Sequence, residues 1–393
     1  MIALEASVRY GACIRVIGVG GGGGNAINTM IERGLQGVDF IAANTDVQAL
    51  AANRAPIKVQ LGKELTRGLG AGSDPTVGRR AAEESREELR EVLAGSDMVF
   101  ITAGMGGGTG TGAAPVVAQL ARELGALVVA IVTKPFQWEA RHRMQVAEAG
   151  IAELRQHVDA LIVVPNQRLL SIIDRHTSVR EAFQRVDEIL YNATRGISDI
   201  ISGCGYINVD FADVRTVMQG TGDALMGMGR GRGEHRAIEA AQNALNSPLL
   251  EGISISGARG VLVNITGGSD LTMYEVAEAM QLIEEAAGSD ANIIHGIVMS
   301  EQPSEELSLT LVATGFRATP SETPLPQPSV TQNVPVPPPS ALEVRTLPTA
   351  SPVGAQELQK YDEPAYLRRS SAAAQGGQSK GLEHPAFLRR LMD

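Results

Sequence analysis

The residues predict an α/β protein: a doubly wound, mostly parallel sheet, a long central helix, an α+β second domain and a disordered tail. Three observations carry this. Compact apolar runs alternate with helix-like runs through the first ~160 residues, which is the pattern of β-α-β units. Glycine-rich turns follow several of those runs, at the strand ends where an open parallel sheet binds its ligands. Residues 178–202 then keep one broad apolar face at helical spacing.

In order, residues 1–12 are expected to be a flexible leader. Cys13–Val19 has a buried-strand pattern, and Gly20–Gly24 with Asn25 turns it into a helix over Ala26–Arg33. Phe40–Ala43 is the next strand. Asn44 and Asp46 lie at its carboxyl end, where turn chemistry and an N-cap for Val47–Ala52 account for Asp46. After the short strand Ile57–Leu61, Gly68–Gly72 is a glycine loop, and Asp74-Pro75 opens a helix as cap and first-turn proline.

Met98–Ala103 is a strand, Gly104–Gly112 (GMGGGTGTG) its turn and Ala113–Leu124 its helix. A strand that ends in glycines and opens into a helix offers free N–H groups at a positive helix end, which suits a phosphate chain. A Cβ would keep the backbone away from the anion. Thr109 and Thr111 add hydroxyl donors. No Lys follows, so the GxxxxGK[ST] loop is absent, and phosphate charge falls to amides, hydroxyls and a metal ion.

Leu127–Val132 leads into Lys134–Arg143, where Glu139 and Arg143 stand i,i+4 on a helix face. Spacing alone makes them a surface ion pair worth ~0.3–0.5 kcal/mol. Leu161–Pro165 is another buried strand, with Asn166 beyond its end, a carboxamide able to read a purine edge. On the long helix Phe183 and Asp187 are i,i+4; core packing accounts for Phe183, while Asp187 lies beside the apolar face. NVDFAD at Asn208–Asp213 puts Asp210 and Asp213 at the start of a helix, Phe211–Met218, where acids are ordinarily caps.

The second domain, 203–316, has strands at Ala224–Met228, Gly260–Ile265, Ile293–Met299 and Leu307–Thr314 around helices His235–Leu245 and Thr272–Ala287. It is expected to stack on the first domain, 13–177. His235 and His295 are lone histidines, read as structural rather than as ligands.

GGGTGTG at Gly106–Gly112, together with GGGGGN at Gly20–Asn25, resembles the tubulin/FtsZ family of filament-forming GTPases, over roughly residues 14–315. The resemblance implies GTP/GDP and Mg²⁺ as cofactors. It implies nucleotide contacts at Gly21, Gly22, Gly23, Gly24, Asn25, Asn44, Gly72, Gly104, Gly107, Gly108, Thr109, Gly110, Thr111 and Gly112. It assigns the sugar and base to Glu139, Arg143 and Asn166, with Phe183 stacking on guanine and Asp187 accepting from its N–H groups. Asn208, Asp210 and Asp213 match the family's catalytic loop. Trp138 and Ala140 depart from its commoner aromatic-Glu-Gly pattern.

Helix length then has a consequence. Twenty-five helical residues span ~37 Å, so acids at the far end cannot reach a nucleotide held by the near end of the same molecule. A second molecule stacked head to tail can supply them, and such a contact repeats without closing. Self-assembly and a catalytic site shared between neighbours are therefore expected.

Charge and composition narrow the rest. The net charge is −10; the tail 317–393 holds eight Lys/Arg against seven Asp/Glu, which leaves −11 on residues 1–316. That argues against general nucleic-acid binding. Two cysteines, Cys13 and Cys204, make no disulfide framework or metal cluster and fit a reducing cytosol. No signal-peptide pattern is read, and Ala126–Val132 is too short to span a bilayer, so membrane contact is expected only through a partner.

Ten of the 19 prolines fall between Pro320 and Pro352, with no aromatic residue, and 317–360 reads as a disordered linker. Within 361–393, DEPAYLRR and EHPAFLRR repeat one pattern. The second resembles the family's tail peptide, which implies docking on membrane-tethering and regulatory division proteins through Pro385, Phe387 and Leu388, and through Pro364, Tyr366 and Leu367 in the extra copy. The family reading is a cytoplasmic, division-ring GTPase. Two alternatives remain open: a dinucleotide-dependent oxidoreductase, since Gly18, Gly20 and Gly23 also satisfy GxGxxG, and a nucleotide-bound filament scaffold without turnover.

Overall fold

A computed structural model describes residues 11–316 except 171–173, 175, 202–205, 208 and 251–253. The expected leader (to residue 10), the catalytic-loop Asn208, the linker and both tail peptides lie outside the described residues.

The chain runs β1 (Ile14–Val19), α1 (Gly20–Glu32), β2 (Asp39–Asn44), α2 (Val47–Ala52), β3 (Ile57–Gln60), α3 (Lys63–Thr66), α4 (Pro75–Glu84), α5 (Arg86–Leu93), β4 (Met98–Gly104) and α6 (Thr109–Glu123). It continues through β5 (Leu127–Lys134), α7 (Arg141–Leu154), β6 (Ala160–Pro165), α8 (Asn166–Leu169), α9 (Val179–Ile201) and α10 (Phe211–Met218). β7 (Gly222–Arg232), α11 (Arg236–Leu245), β8 (Gly260–Gly267), α12 (Met273–Ala287), β9 (Asn292–Met299) and β10 (Glu306–Thr314) complete it.

The strands form one sheet in the order β3-β2-β1-β4-β5-β6-β7-β10-β8-β9. Every pairing is parallel except those of β10 with β7 and β8. The sequence progresses one way from β1 to β3 and the other way from β4, so the fold is doubly wound and β1 and β4 flank its switch point. Strands β1, β4 and β5 are almost wholly buried, which is why they read as continuous apolar runs rather than alternating ones. One core cluster lies under α1 and α9, and a second, rich in alanine, under α4 to α7.

Two expectations are corrected. The first glycine run is not a loop ahead of a helix, since α1 begins at Gly20; of the second, Met105–Gly108 is a turn and Thr109–Gly112 is the first turn of α6, while Gly68–Gly72 is a loop as expected. The second module does not stack on the first as a separate layer. β7 pairs with β6 at Ala160–Gly222, Leu161–Asp223 and Ile162–Ala224, and the sheet continues edge to edge. Elsewhere the caps follow the sequence. Asp46 Oδ1 accepts from the Gln48 and Ala49 amides at 2.8 and 3.2 Å, and Asp74 Oδ1 from Thr76 at 2.8 Å. Thr272 and Glu275 form a capping box at α12.

β7 is longer than its apolar residues suggest because glycine alternates along it. A Cβ at Gly227, Gly229 or Gly231 would collide with the backbone of Ala244, Ala240 or Arg236 on α11. The helix therefore lies directly on the strand. Gly229→Ala is expected to destabilise the second module by about 1–3 kcal/mol, read as a lower thermal midpoint, with nucleotide affinity below that midpoint unchanged.

Candidate functional site

The turns after β1 and β4 leave adjacent strands and touch backbone to backbone. A Cβ on Gly20 would stand 2.8 Å from the Gly110 nitrogen, and one on Gly22 would stand 3.1 Å from Gly104 Cα. The loop before α4 closes on them: a Cβ on Gly108 would stand 2.8 Å from Ala71 Cβ. Gly21, Gly72 and Gly107, one from each loop, instead face open space, with nothing within 4 Å of the position a Cβ would take. Bare backbone and two helix N-termini thus converge at the carboxyl edge of the sheet, a cradle for an anion.

Other predicted residues build this cradle rather than line it. Gly23 packs on the Thr102 carbonyl, Gly24 O accepts from Asn53 Nδ2 at 2.8 Å, and Gly112 packs on the Pro75 carbonyl. Asn25 is exposed on the second turn of α1. Asn44 is buried and its Oδ1 accepts from the Asp46 amide at 3.2 Å. Thr111 is buried and accepts from the Gly106 amide at 2.9 Å, so its hydroxyl braces the turn. Thr109 Oγ1 lies 2.6 Å from Thr45 Oγ1. Thr45 escaped sequence reading because a lone threonine at a strand end carries no pattern.

The second half of the site gathers after β5 and β6. Glu139 and Arg143 do pair, at 3.3 Å, but not on one helix. Glu139 ends a 3₁₀ turn, Gln137–Glu139, and Ala140 separates it from α7 with φ 85° and ψ 143°. That conformation is costly for a residue with a Cβ, roughly 1–3 kcal/mol, and suits the glycine commoner in the pattern. Arg143 lies against the Gly106 turn, where a Cβ would meet its Cγ at 2.9 Å. Phe183 is half-exposed on the first turns of α9 rather than in the core, edge-on to buried Phe136 with centroids 5.6 Å apart. Trp138 stacks on the other side of Phe136 at 5.5 Å. Phe136, which joins these rings, drew no notice in the sequence.

Two polar groups here lack partners. Asn166 is buried and its Oδ1 accepts no hydrogen bond among the described residues. Burial pushes the Asp187 carboxyl up to about 7, and nothing described offsets it. Both are acceptors in need of N–H or O–H donors.

The acids lie across the sheet from all of this. Asp210 is the N-cap residue of α10 and Asp213 is in its first turn, both exposed. From the same helix Arg215 Nη2 donates at 2.7 Å to Gly125 O, just before β5 begins. The glycine turns follow the carboxyl ends of β1 and β4, whereas α10 sits by the amino end of β5. That strand's eight residues alone cover ~26 Å.

A separate cleft of about 1100 Å³ runs between α9 and strands of the second module, beside Gly196, Asn264 and Thr310. It contains none of the predicted site residues.

Two family models match the chain. The Tubulin/FtsZ family GTPase domain matches residues 13–174, and the FtsZ family C-terminal domain matches 222–317. The empty FtsZ dimer of M. jannaschii is 44% identical, with a TM-score of 0.75, over 78% of this chain and 89% of that one. Two CetZ proteins of Haloferax volcanii share the fold at lower identity. GDP-bound monomeric CetZ1 is 21% identical (TM-score 0.65), over 78% of this chain and 96% of that one. CetZ2, solved as a GTPγS-bound protofilament, is 23% identical (TM-score 0.64), over 78% and 94%.

The raised Asp187 carboxyl yields a pH test. Its folded value lies above its ordinary 3.8, so its neutral form favours the empty fold. That contribution is complete below pH ~4 and is lost as pH rises through ~7. Accepting two N–H groups, the role the family resemblance implies for this carboxylate toward guanine, takes the ionised form. Affinity for GDP is expected to fall about tenfold from pH ~8 to ~6, with proton uptake or release on binding visible by calorimetry in buffers of different ionisation heat. In Asp187→Asn this slope should flatten; an unchanged slope would remove Asp187 as its source.

Proposed function

The chain belongs to the tubulin/FtsZ family and carries its GTPase domain, and we propose that it forms GTP-dependent head-to-tail filaments of the bacterial division ring. The observation that carries this reading is the separation just described: a phosphate cradle at one edge of the sheet and the acids Asp210 and Asp213 near the other. Helix α9, with 23 residues, is ~34 Å long. No one molecule brings both parts to a single γ-phosphate. A stacked neighbour does, and a heterologous contact of this kind extends as a filament.

The proposed chemistry is positional and electrostatic. Amides at the starts of α1 and α6 hold the phosphates in place, and the neighbour's Asp210 and Asp213 orient the attacking water. Asn208 belongs to this catalytic loop by sequence. On the base, Phe183 offers its face, while Asn166 and Asp187 accept N–H donors; guanine N1 and N2 supply such donors where adenine N1 does not. The described residues hold no cluster of three His, Cys, Asp or Glu able to chelate a metal. They fit an Mg²⁺ that would arrive with the nucleotide, to which the Thr45 and Thr109 hydroxyls could offer neutral oxygens. When bound, Mg²⁺ supplies the positive charge that the cradle lacks in place of a lysine.

The nicotinamide reading loses its basis with the family match, since GxGxxG here belongs to α1 of a GTPase domain. A scaffold without turnover is separated from the main reading by phosphate release. No helix among the described residues is long and apolar enough to cross a membrane, and we propose that the protein works in the cytoplasm, at the inner face of the membrane at the division site. There the two tail peptides would dock partners together. Separate alanine changes at Phe387/Leu388 and Tyr366/Leu367 should each weaken binding of the full chain to an immobilised tail-binding partner, the pair more than either; loss from the first alone would end the bivalent idea.

Turnover should rise more steeply than protein concentration. Asp213→Ala is expected to bind GTP without hydrolysing it, and Thr109→Ala to bind GTP poorly with its acids intact. Mixed, they should recover part of the phosphate release, because a loaded Asp213→Ala pocket can meet an intact α10. Full activity of dilute, monomeric Asp213→Ala would contradict the shared site.

A further inference from the structure

The two helices that carry the parts of the site meet end to flank. Helix α6 starts in the phosphate cradle with Thr109 and ends near Gly125, which has φ +84° and closes the helix. Its 15 residues span ~22 Å. The Leu120, Ala121 and Arg122 carbonyls at its end accept from the Leu124, Ala126 and Gly125 amides, so that end is closed by backbone. Arg215 Nη2 bonds the turn just beyond it, donating to Gly125 O at 2.7 Å. The guanidinium also lies over the Phe211 ring, 5.6 Å from its centre. Its Nε is buried without a partner, so among the described residues the group is held by these two contacts and not by a carboxylate. Arg215 and Phe211 both belong to α10, the helix that presents Asp210 and Asp213.

The acids have little else to fix them. Both carboxylates are exposed, and Asp210 makes no side-chain cap bond. At the other end of α10, Thr314 Oγ1 donates to Val217 O at 2.8 Å. Val214, Val217 and Met218 anchor the buried face. Arg215 is the one described side chain of α10 that hydrogen-bonds across to the α6–β5 turn.

Building on the proposed shared site, we infer that Arg215 is a positioning residue: by tying α10 to the turn that closes the far end of the phosphate-binding helix, it sets where a molecule holds the acids it offers to its neighbour. One rigid helix would then register the donated acids against the molecule's own nucleotide cradle, so subunit spacing and acid placement are set together. Arg215 does not touch the nucleotide of its own chain, and its loss should spare that pocket.

The test uses the full-length chain with GTP and Mg²⁺. Arg215→Gln is expected to bind GTP with parental affinity and to sediment with a non-hydrolysable analogue, yet to release phosphate at least tenfold more slowly per sedimented chain. Arg215→Lys, which keeps a cationic donor, should recover part of that rate and serves if the Gln variant folds poorly. Mixing Arg215→Gln with Thr109→Ala should restore turnover, because the intact pocket of the first meets the intact acids of the second. Mixing it with Asp213→Ala should not. Parental turnover in Arg215→Gln while Asp213→Ala is inactive would overturn the inference and leave the shared site standing. Weakened GTP binding by Arg215→Gln, or no recovery with Thr109→Ala when Asp213→Ala does recover, would also overturn it. Turnover in dilute Asp213→Ala would instead sink the shared site itself.

Discussion

Backbone must touch backbone where β1 and β4 part, and much of the site follows from that constraint. Gly20 approaches Gly110, and Gly22 approaches Gly104, at distances that admit no side chain. Because the turns interlock there, α1 and α6 start side by side and aim two sets of free N–H groups at one place. Thr111 and the Thr45–Thr109 pair lock the arrangement from within. The protein thus obtains a phosphate site without a lysine, on a body of residues that is acidic overall. Amide dipoles that are already oriented need little reorganisation when the anion arrives.

The same two helices carry the consequences away from the cradle. α1 runs under α9, and Arg33 at its end bonds Glu188 and lies 5.5 Å from the centre of the Tyr191 ring. α6 runs along the other face to Gly125 and Arg215. Both faces of the sheet are therefore bridged by rigid elements from the nucleotide edge to the far side. Separation by this much rigid structure is what makes a neighbour necessary for the proposed hydrolysis.

Much of this was legible in the residues, for identifiable reasons. The central strands of the sheet are buried on both faces, so they stand out as apolar runs, and Asp46, Asp74 and Thr272 announce helix starts through a local rule. Segment ends within the glycine turns were less visible. Glycine is a poor helix former, so Gly20 and Thr109 did not read as first-turn residues; tertiary contact overrides that propensity. The spacing of Glu139 and Arg143 suggested one helix, yet Ala140 breaks it while the pair still forms. The β6–β7 pairing depends on three residue pairs and has no signature of its own. Phe136, Thr45 and Arg215 acquire meaning only from what they touch.

The base end of the pocket shows why occupancy and assembly can be coupled. Asp187 is half-buried with no donor among the described residues, and Asn166 presents a buried acceptor likewise unmet. The carboxyl is therefore held only partly ionised near neutral pH, together with an unmet carbonyl on Asn166. In the proposed function a guanine nucleotide would supply donors to both at one end and fill the bare-backbone cradle at the other. Filling the pocket in that way would tighten the start of α9 and the starts of α1 and α6 at once. In the proposed filament the far ends of those elements would reach the edge that meets the next molecule, and a change in what the pocket holds would reach the junction through short, well-packed helices.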